Sequence, residues 1–307
     1  MSVAMQSIME NASPKRRYCF FILQQNLSSE NQEKLLNQVV AFPQFSLSFI
    51  DVKQYLKSYA FKIREEDKIC YTAETFFRLL LPWILADYDK ALYFDGDTVC
   101  RIDVAEIFDL DLQDKLLAAV REFHGAAWYY KPNKTHNQSK KIYNEVLANL
   151  QQKDDYFQAG VLLWNLAGFR EDWSIEKLLT LAVSKIWRLV DQDVLNFIAE
   201  NKTLLLPAKY NYTVLFSELV KYLPKYLQEE YYEAGKDPKI IHYKPWDSLA
   251  YIQHFEFFWQ YAVKSPFLKI IIANMKAKDL ILTTPLHRHI RKCGWKFLLK
   301  CLFSREF

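Results

Sequence analysis

Glycine is scarce, with 6 in 307 residues, and neither a Walker-type run nor a Gly-x-Gly-x-x-Gly dinucleotide fingerprint occurs. That argues against a glycine-built phosphate cradle and for a site walled by side chains. The 5 cysteines, Cys19, Cys70, Cys100, Cys293 and Cys301, are odd in number, widely spaced and without a Cys-x-x-Cys pair. They read as reduced thiols in a cytoplasmic protein. No apolar run reaches membrane-spanning length, and no charged start leads into a cleavable apolar core, so the chain is expected to be neither secreted nor membrane-spanning. Charge of one sign is lacking too: 40 Lys and Arg stand against 36 Asp and Glu, a net +4, which gives no case for nucleic acid. What is present is apolar material, 51% of residues, with 16% aromatic. That suffices for one large α/β domain or two modest ones.

The chain is organised around Ala91-Leu92-Tyr93-Phe94-Asp95-Gly96-Asp97-Thr98-Val99. A strand-forming run enters two carboxylates separated by one glycine, and the apolar character then resumes. Such a strand delivers its carboxylates at its carboxyl end, where open α/β sheets place ligands. Two hard oxygen donors there suit Mg²⁺ or Mn²⁺ shared with a phosphate. The plainer alternative is a polar corner with Asp-Gly as turn residues.

In chain order, Val3 to Met9 has helical spacing and ends before Pro14. A buried strand at Tyr18–Leu23, a helix from Ser28 to about Ala41 and an alternating strand at Phe45–Val52 make a right-handed βαβ unit. Thr72–Trp83 is predicted as a helix with Arg78 as the single charge among apolar residues, so that Arg78 snorkels, pairs with a carboxylate or meets an anion. Strands follow at Leu116–Val120 and Tyr156–Leu166, where the pair Ala159-Gly160 lets something approach the backbone closely. A helix at Ser174–Ile186, another opened by Val190-Asp191-Gln192-Asp193, and short strands at Leu204–Pro207 and Lys239–Tyr243 complete the pattern. Carboxylates at a helix start often only complement its dipole.

Five blocks in order resemble the family 8 glycosyltransferases, retaining enzymes of GT-A fold that include bacterial lipopolysaccharide galactosyl- and glucosyltransferases. They are Thr75-Phe76-Phe77-Arg78-Leu79, Ala91 to Asp97, Ala159 to Leu166, Asp191 to Asn196, and Ile241-His242-Tyr243 with Lys244-Pro245-Trp246. The resemblance implies a Rossmann-like mixed sheet flanked by helices over residues 1–250, leaving 251–307 as a helical, basic, amphipathic region. It implies that Asp95, Asp97 and His242 ligate Mn²⁺, with Mg²⁺ as the alternative, and that the ion also binds the diphosphate of a UDP-sugar. Taken alone, His242 on an apolar strand would more often be a core histidine. Arg78, Gly96, Gln158, Ala159 and Gly160 would line the donor, and Lys244 would bring a second positive charge to its diphosphate. Asp191 and Gln192 match positions facing the donor sugar and its anomeric carbon. Retention could proceed through a covalent intermediate, with Asp191 the better nucleophile, or by acceptor entry on the face that UDP leaves.

Three departures from the pattern stand out. Family members begin with a strand, whereas Val3 to Asn11 already matches the helix after it, so the first strand is expected to be missing, by truncation or a start further upstream. Gln158 stands where the family more often has Asn, and Lys244 follows Tyr243 without the usual spacer.

From His287 onward, Arg288, Lys292, Lys296 and Lys300 recur every fourth residue opposite Ile290, Cys293, Phe297 and Leu298. This is the pattern of an interfacial helix on anionic lipid, or of a solvated helix packed on the domain. The expectation over 287–307 is peripheral attachment to the inner face of the cell membrane, near a glycolipid or oligosaccharide acceptor. Two rival readings remain. Asp95-Gly96-Asp97-Thr98 also resembles the nucleophile loop of haloacid-dehalogenase-type phosphohydrolases, which would need an acidic pair closing a later strand; Asp154-Asp155 precedes one instead. The other is a catalytically impaired, membrane-binding glycosyltransferase-like protein.

Overall fold

The computed structural model describes residues 1–56, 73–132, 144–148, 150–151, 153–215, 217–243 and 253–277. Lys244 and the basic stripe of residues 287–307 lie outside the described residues.

Helix α1 (Ser2–Asn11) opens the chain, as its spacing predicts, and is buried nearly all round. Its hydroxyls are answered by distant segments: Ser2 Oγ donates to Gln38 Oε1 at 2.8 Å, and Ser7 Oγ accepts from the Cys100 amide at 2.9 Å. Strand β1 (Tyr18–Gln24), helix α2 (Ser29–Val40), capped by the Ser28 hydroxyl, and strand β2 (Phe45–Asp51) form the expected parallel βαβ unit.

Strands β3 (Lys90–Phe94), β5 (Leu117–Arg121), β6 (Phe157–Asn165) and β7 (Thr203–Leu206) form a mixed sheet in the order β3-β6-β5-β7. Strand β6 runs antiparallel to both neighbours, and β7 runs parallel to β5. A small third sheet sets β4 (Thr98–Cys100) antiparallel to β9 (Ile240–His242), with β8 (Tyr212–Thr213) on its far side. Among the described residues no ladder joins β1 to β3. The two strands nonetheless share both cores: Phe21 and Leu23 pack into the cluster that takes Ala91 and Tyr93, and Ile22 joins the cluster that takes Leu92 and Phe94.

Strand β6 is the spine of the molecule, buried on both faces, and it carries a bulge. Ala119 of β5 pairs with Leu162, but the next residue, Val120, pairs with Gln158, leaving residues 159–161 unmatched on that side. The bulge shifts the alternation by one residue. Phe157 and Ala159 before it, and Leu162 and Trp164 after it, face one core, whereas Val161 and Leu163 face the other.

One expected element differs. The stretch predicted as a single helix over 72–83 is a 3-10 helix at Ala73–Leu80 followed by a short α-helix, α3 (Leu81–Ile84). Pro82 has no N–H to offer the Arg78 carbonyl and its ring crowds that carbonyl, so one continuous α-helix cannot run through. The chain restarts with proline in the first turn, where its missing donor costs nothing.

Helix α4 (Phe123–Tyr130) follows β5 and helix α5 (Ile175–Ser184) follows β6. Helix α6 (Val190–Ile198) then lies against β6. Helices α7 (Lys225–Lys236), α8 (Phe255–Ala262) and α9 (Leu268–Ala277) complete the described chain, and Phe258, Tyr261 and Ile271 of the last two pack on Val3, Val99 and Ile241.

Candidate active site

The carboxyl end of β3 is where the predicted residues meet. The ladder to β6 closes with the Asp95 amide on the Gly160 carbonyl at 2.7 Å, and the chain then turns. The Thr98 hydroxyl donates to the Asp95 carbonyl at 2.9 Å and fixes the turn, while the Gly96 carbonyl accepts from the Met1 ammonium. Beyond the turn β4 begins, and its register with β9 sets Thr98 opposite His242. The Tyr243 amide closes this corner on the Asp97 carbonyl at 3.0 Å.

That backbone frame brings three side chains together from sequence positions far apart. His242 Nε2 lies 3.0 Å from Asp97 Oδ1 and 3.7 Å from Asp95 Oδ2. One ligand atom from each of Asp95, Asp97 and His242 falls within 4.8 Å of the others. The imidazole is fully buried and its Nε2 has no hydrogen-bond partner, whereas the Asp97 side chain is 29% exposed. Two carboxylates and an imidazole nitrogen facing one point form a donor set that suits a divalent cation, with exposure on the Asp97 side through which phosphate oxygens could complete its shell. His242 thus lies in one cluster with Asp95 and Asp97.

Gly160 makes the convergence possible. A Cβ there would stand 2.2 Å from His242 Cε1 and 2.7 Å from Asp95 Oδ2. The close approach expected at Ala159-Gly160 is thus that of His242 and Asp95.

Arg78 is the electrostatic hinge of the site. Its NH2 group lies 3.0 Å from Asp95 Oδ1 and its Nε lies 2.8 Å from Asp191 Oδ2. NH1 donates to the Ala159 carbonyl, and the guanidinium sits 4.4 Å above the Tyr93 ring. Burial by itself would lower its pKa, but Asp191 and Asp95 outweigh burial and hold the guanidinium firmly charged. Of the alternatives open in the sequence, the structure shows carboxylate pairing, with two partners at once. Tyr93 belongs to the same cluster: its hydroxyl donates to Asp95 Oδ1 at 2.8 Å, and burial raises its pKa well above the ordinary value.

On α6, Asp191 is 2% exposed and points at Arg78. Gln192 Oε1 accepts from the Ala159 amide at 3.0 Å, and its Nε2 donates to the Tyr156 hydroxyl at 3.2 Å. Tyr156 in turn donates to Asp193 Oδ1 at 2.6 Å. Asn196, one helical turn after Gln192, pairs with both backbone groups of Phe157. These amides take the place of a neighbouring strand, because the β3 ladder has ended at Phe94. Gln158 faces the opposite way, its Oε1 accepting from the Gly160 amide at 2.6 Å and from Asn211 Nδ2 at 2.5 Å.

Asn211 went unnoticed in the sequence. It sits in a 3-10 turn (Ala208–Asn211) with no periodicity to mark it, and only the fold brings it to His242 Nδ1, 3.1 Å away. The acidic pair of the phosphohydrolase reading is accounted for elsewhere: Asp154 accepts from Tyr130, and Asp155 pairs with Arg121.

Residues 1–250 match the profile of Glycosyl transferase family 8, and the chain belongs to that family. Glycosyltransferase GlyA of Streptococcus pneumoniae serotype 4 is 32% identical over 213 residues, which are 65% of this chain and 26% of that protein. The lipopolysaccharide 1,2-glucosyltransferase of Escherichia coli K12 is 28% identical over 213 residues, 66% of this chain and 55% of that enzyme. The chain thus spans only part of the length of these relatives. Among solved structures, the galactosyltransferase LgtC in complex with donor and acceptor sugar analogues superposes with a TM-score of 0.65 at 20% identity, covering 86% of this chain and 91% of LgtC. The fold is therefore a mixed α/β glycosyltransferase fold of GT-A type.

Proposed function

We propose that this chain is a retaining glycosyltransferase that moves a hexose, glucose or galactose, from a UDP-sugar to a lipopolysaccharide or related surface-glycan acceptor with the help of Mn²⁺ or Mg²⁺. The observation that carries the reading is the convergence of Asp95, Asp97 and His242 beside an arginine that holds Asp191. Family membership, the lipopolysaccharide glucosyltransferase relative and the likeness to LgtC support the choice of reaction and sugar class.

Asp95, Asp97 and His242 would hold the divalent cation, which when bound neutralises charge on the departing diphosphate without a proton donor. Arg78 holds the Asp95 and Asp191 carboxylates in place, and Asp97 is the most exposed of the three residues that would hold the cation. Gln192 is fixed at both ends of its amide, so its group presents a set orientation beside Ala159 and Gly160. Asp191 is the carboxylate of the α6 pair that lies by the Arg78 clamp and is the candidate nucleophile of a two-step route. Within the basic stripe, Lys292, Lys296 and Lys300 support placement on the cytoplasmic face of an anionic membrane, where a lipid-linked acceptor would lie.

The test is metal-dependent hydrolysis of UDP-glucose, UDP-galactose and their N-acetyl forms, with Asp97→Ala as control. Turnover that requires the metal and is lost in the variant is expected. Absence of both turnover and UDP binding would overturn the proposal in favour of a non-catalytic, membrane-binding protein.

A further inference from the structure

The buried environment of His242 contains a chain of hydrogen bonds whose direction can be fixed from the backbone outward. It begins at Gly160, whose amide lies 2.6 Å from the Gln158 side chain. A backbone N–H can only donate, so the Gln158 atom it meets is the amide oxygen. The Asn211 atom 2.5 Å from that same oxygen must also be a donor, hence Nδ2. The other end of Asn211 is then its carbonyl oxygen, and this is the atom 3.1 Å from His242 Nδ1. An oxygen that can only accept requires a proton on Nδ1.

The consequence falls on the opposite ring nitrogen. With the proton on Nδ1, a neutral His242 carries its lone pair on Nε2, and Nε2 is the atom that faces Asp97 Oδ1 at 3.0 Å and Asp95 Oδ2 at 3.7 Å without a hydrogen-bond partner. The other tautomer would set a lone pair against the Asn211 oxygen, and its Nε2 proton would point at Asp97 Oδ1 and occupy the position a cation must take. Gln158, Asn211 and His242 are 3%, 2% and 0% exposed, so no solvent exchange relaxes the choice.

The geometry points to Asn211 as a positioning residue for the cation site: it fixes His242 in the Nδ1–H tautomer and frees Nε2 to ligate, with Gln158 and the Gly160 amide setting its orientation. This inference rests on the proposed reading of Asp95, Asp97 and His242 as ligands of a divalent cation. It also gives Gln158 a part in the site through its contact with Asn211. A ligating histidine ordinarily owes its tautomer and basicity to such an outer partner, and loss of that partner weakens metal affinity about 10–100-fold.

Two measurements on the full chain test it. Imidazole ¹⁵N spectra are recorded with His242 assigned by its absence in His242→Gln, and at a pH at which its two ring nitrogens give the distinct shifts of a neutral ring. The wild type should show Nδ1–H; Nε2–H would overturn the inference, and this result requires no other variant to fold. Calorimetric titration with Mn²⁺ alone then compares Asn211→Leu, which removes the acceptor, with Asn211→Asp, which keeps one. Affinity should fall about 10–100-fold in the first and stay within about threefold, or rise, in the second. Equal affinity in wild type and Asn211→Leu, or equal loss in both variants, would also overturn it. Should the wild type take up no Mn²⁺, the cation reading itself fails, and the imidazole spectrum alone decides the tautomer.

Discussion

His242 stands directly opposite Thr98 in the β4–β9 pair, and this single register match carries its imidazole to Asp97 on the turn before β4. The proposed cation site is thus held by two short strands and one ladder end, and each of its three side chains should matter on its own. Asp97→Ala and His242→Gln are expected to lower metal-dependent turnover by about three orders of magnitude, about 4 kcal/mol of lost stabilisation. Thermal stability should change much less for Asp97, which is 29% exposed, than for fully buried His242. Steady-state kinetics beside thermal melts would check both statements.

Arg78 to Met should be more harmful to folding than to binding. The change leaves Asp191, 2% exposed, without its cation inside the core. Breaking a buried pair from one side costs about 3–5 kcal/mol. Arg78→Lys should recover only part of this, because one ammonium cannot reach Asp95, Asp191 and the Ala159 carbonyl together. Denaturant unfolding of the three proteins would give the ordering.

Gly160→Ala should remove cation binding while every ligand remains in the sequence. The added methyl would stand 2.2 Å from His242 Cε1, so the ring must move. Overpacking of this kind costs about 1–3 kcal/mol. Loss of Mn²⁺ uptake with a folded circular dichroism spectrum is the expected pair of observations.

Asp193 should leave a signature in the pH dependence of stability. Burial raises its pKa above the ordinary 3.8, while Tyr156 and backbone amides at Leu189 and Arg188 pull it back down. Between 3.8 and the raised folded value the native state binds more protons than the unfolded one. Its contribution to stability is therefore fully present below 3.8 and declines as pH rises through the folded value. Asp193→Asn should flatten that decline, which melts recorded across the acid range would show.

Much of this architecture was legible in the sequence because apolar periodicity fixes strands locally. β1, β2, β5 and β6 fall where their patterns predict, and Asp95 and Asp97 follow β3 as a strand ending in carboxylates should. The helix expected at 72–83 became a 3-10 helix because Pro82 acts on a carbonyl four residues back, an effect hidden under strong apolar content. Arg78 was legible as a paired charge but not as a double pair, since Asp191 lies 113 residues further along and reaches it only after α6 has docked on β6. Asn211 was not legible at all. Its role depends on the order of donors and acceptors in the buried chain from Gly160 to His242, and no spacing rule encodes that order.

The bulge in β6 has a consequence for changes in chain length. Residues 159–161 set the phase of the strand: Phe157 and Ala159 share a core with Leu162 and Trp164 only because the alternation slips by one between them. Replacing Gly160 displaces His242, but deleting it would turn Leu162 and Trp164 toward the wrong core and Val161 and Leu163 with them. The stretch in which Gly160 admits His242 also determines which side of the sheet is which, so it tolerates a change in length less readily than a change in chemistry.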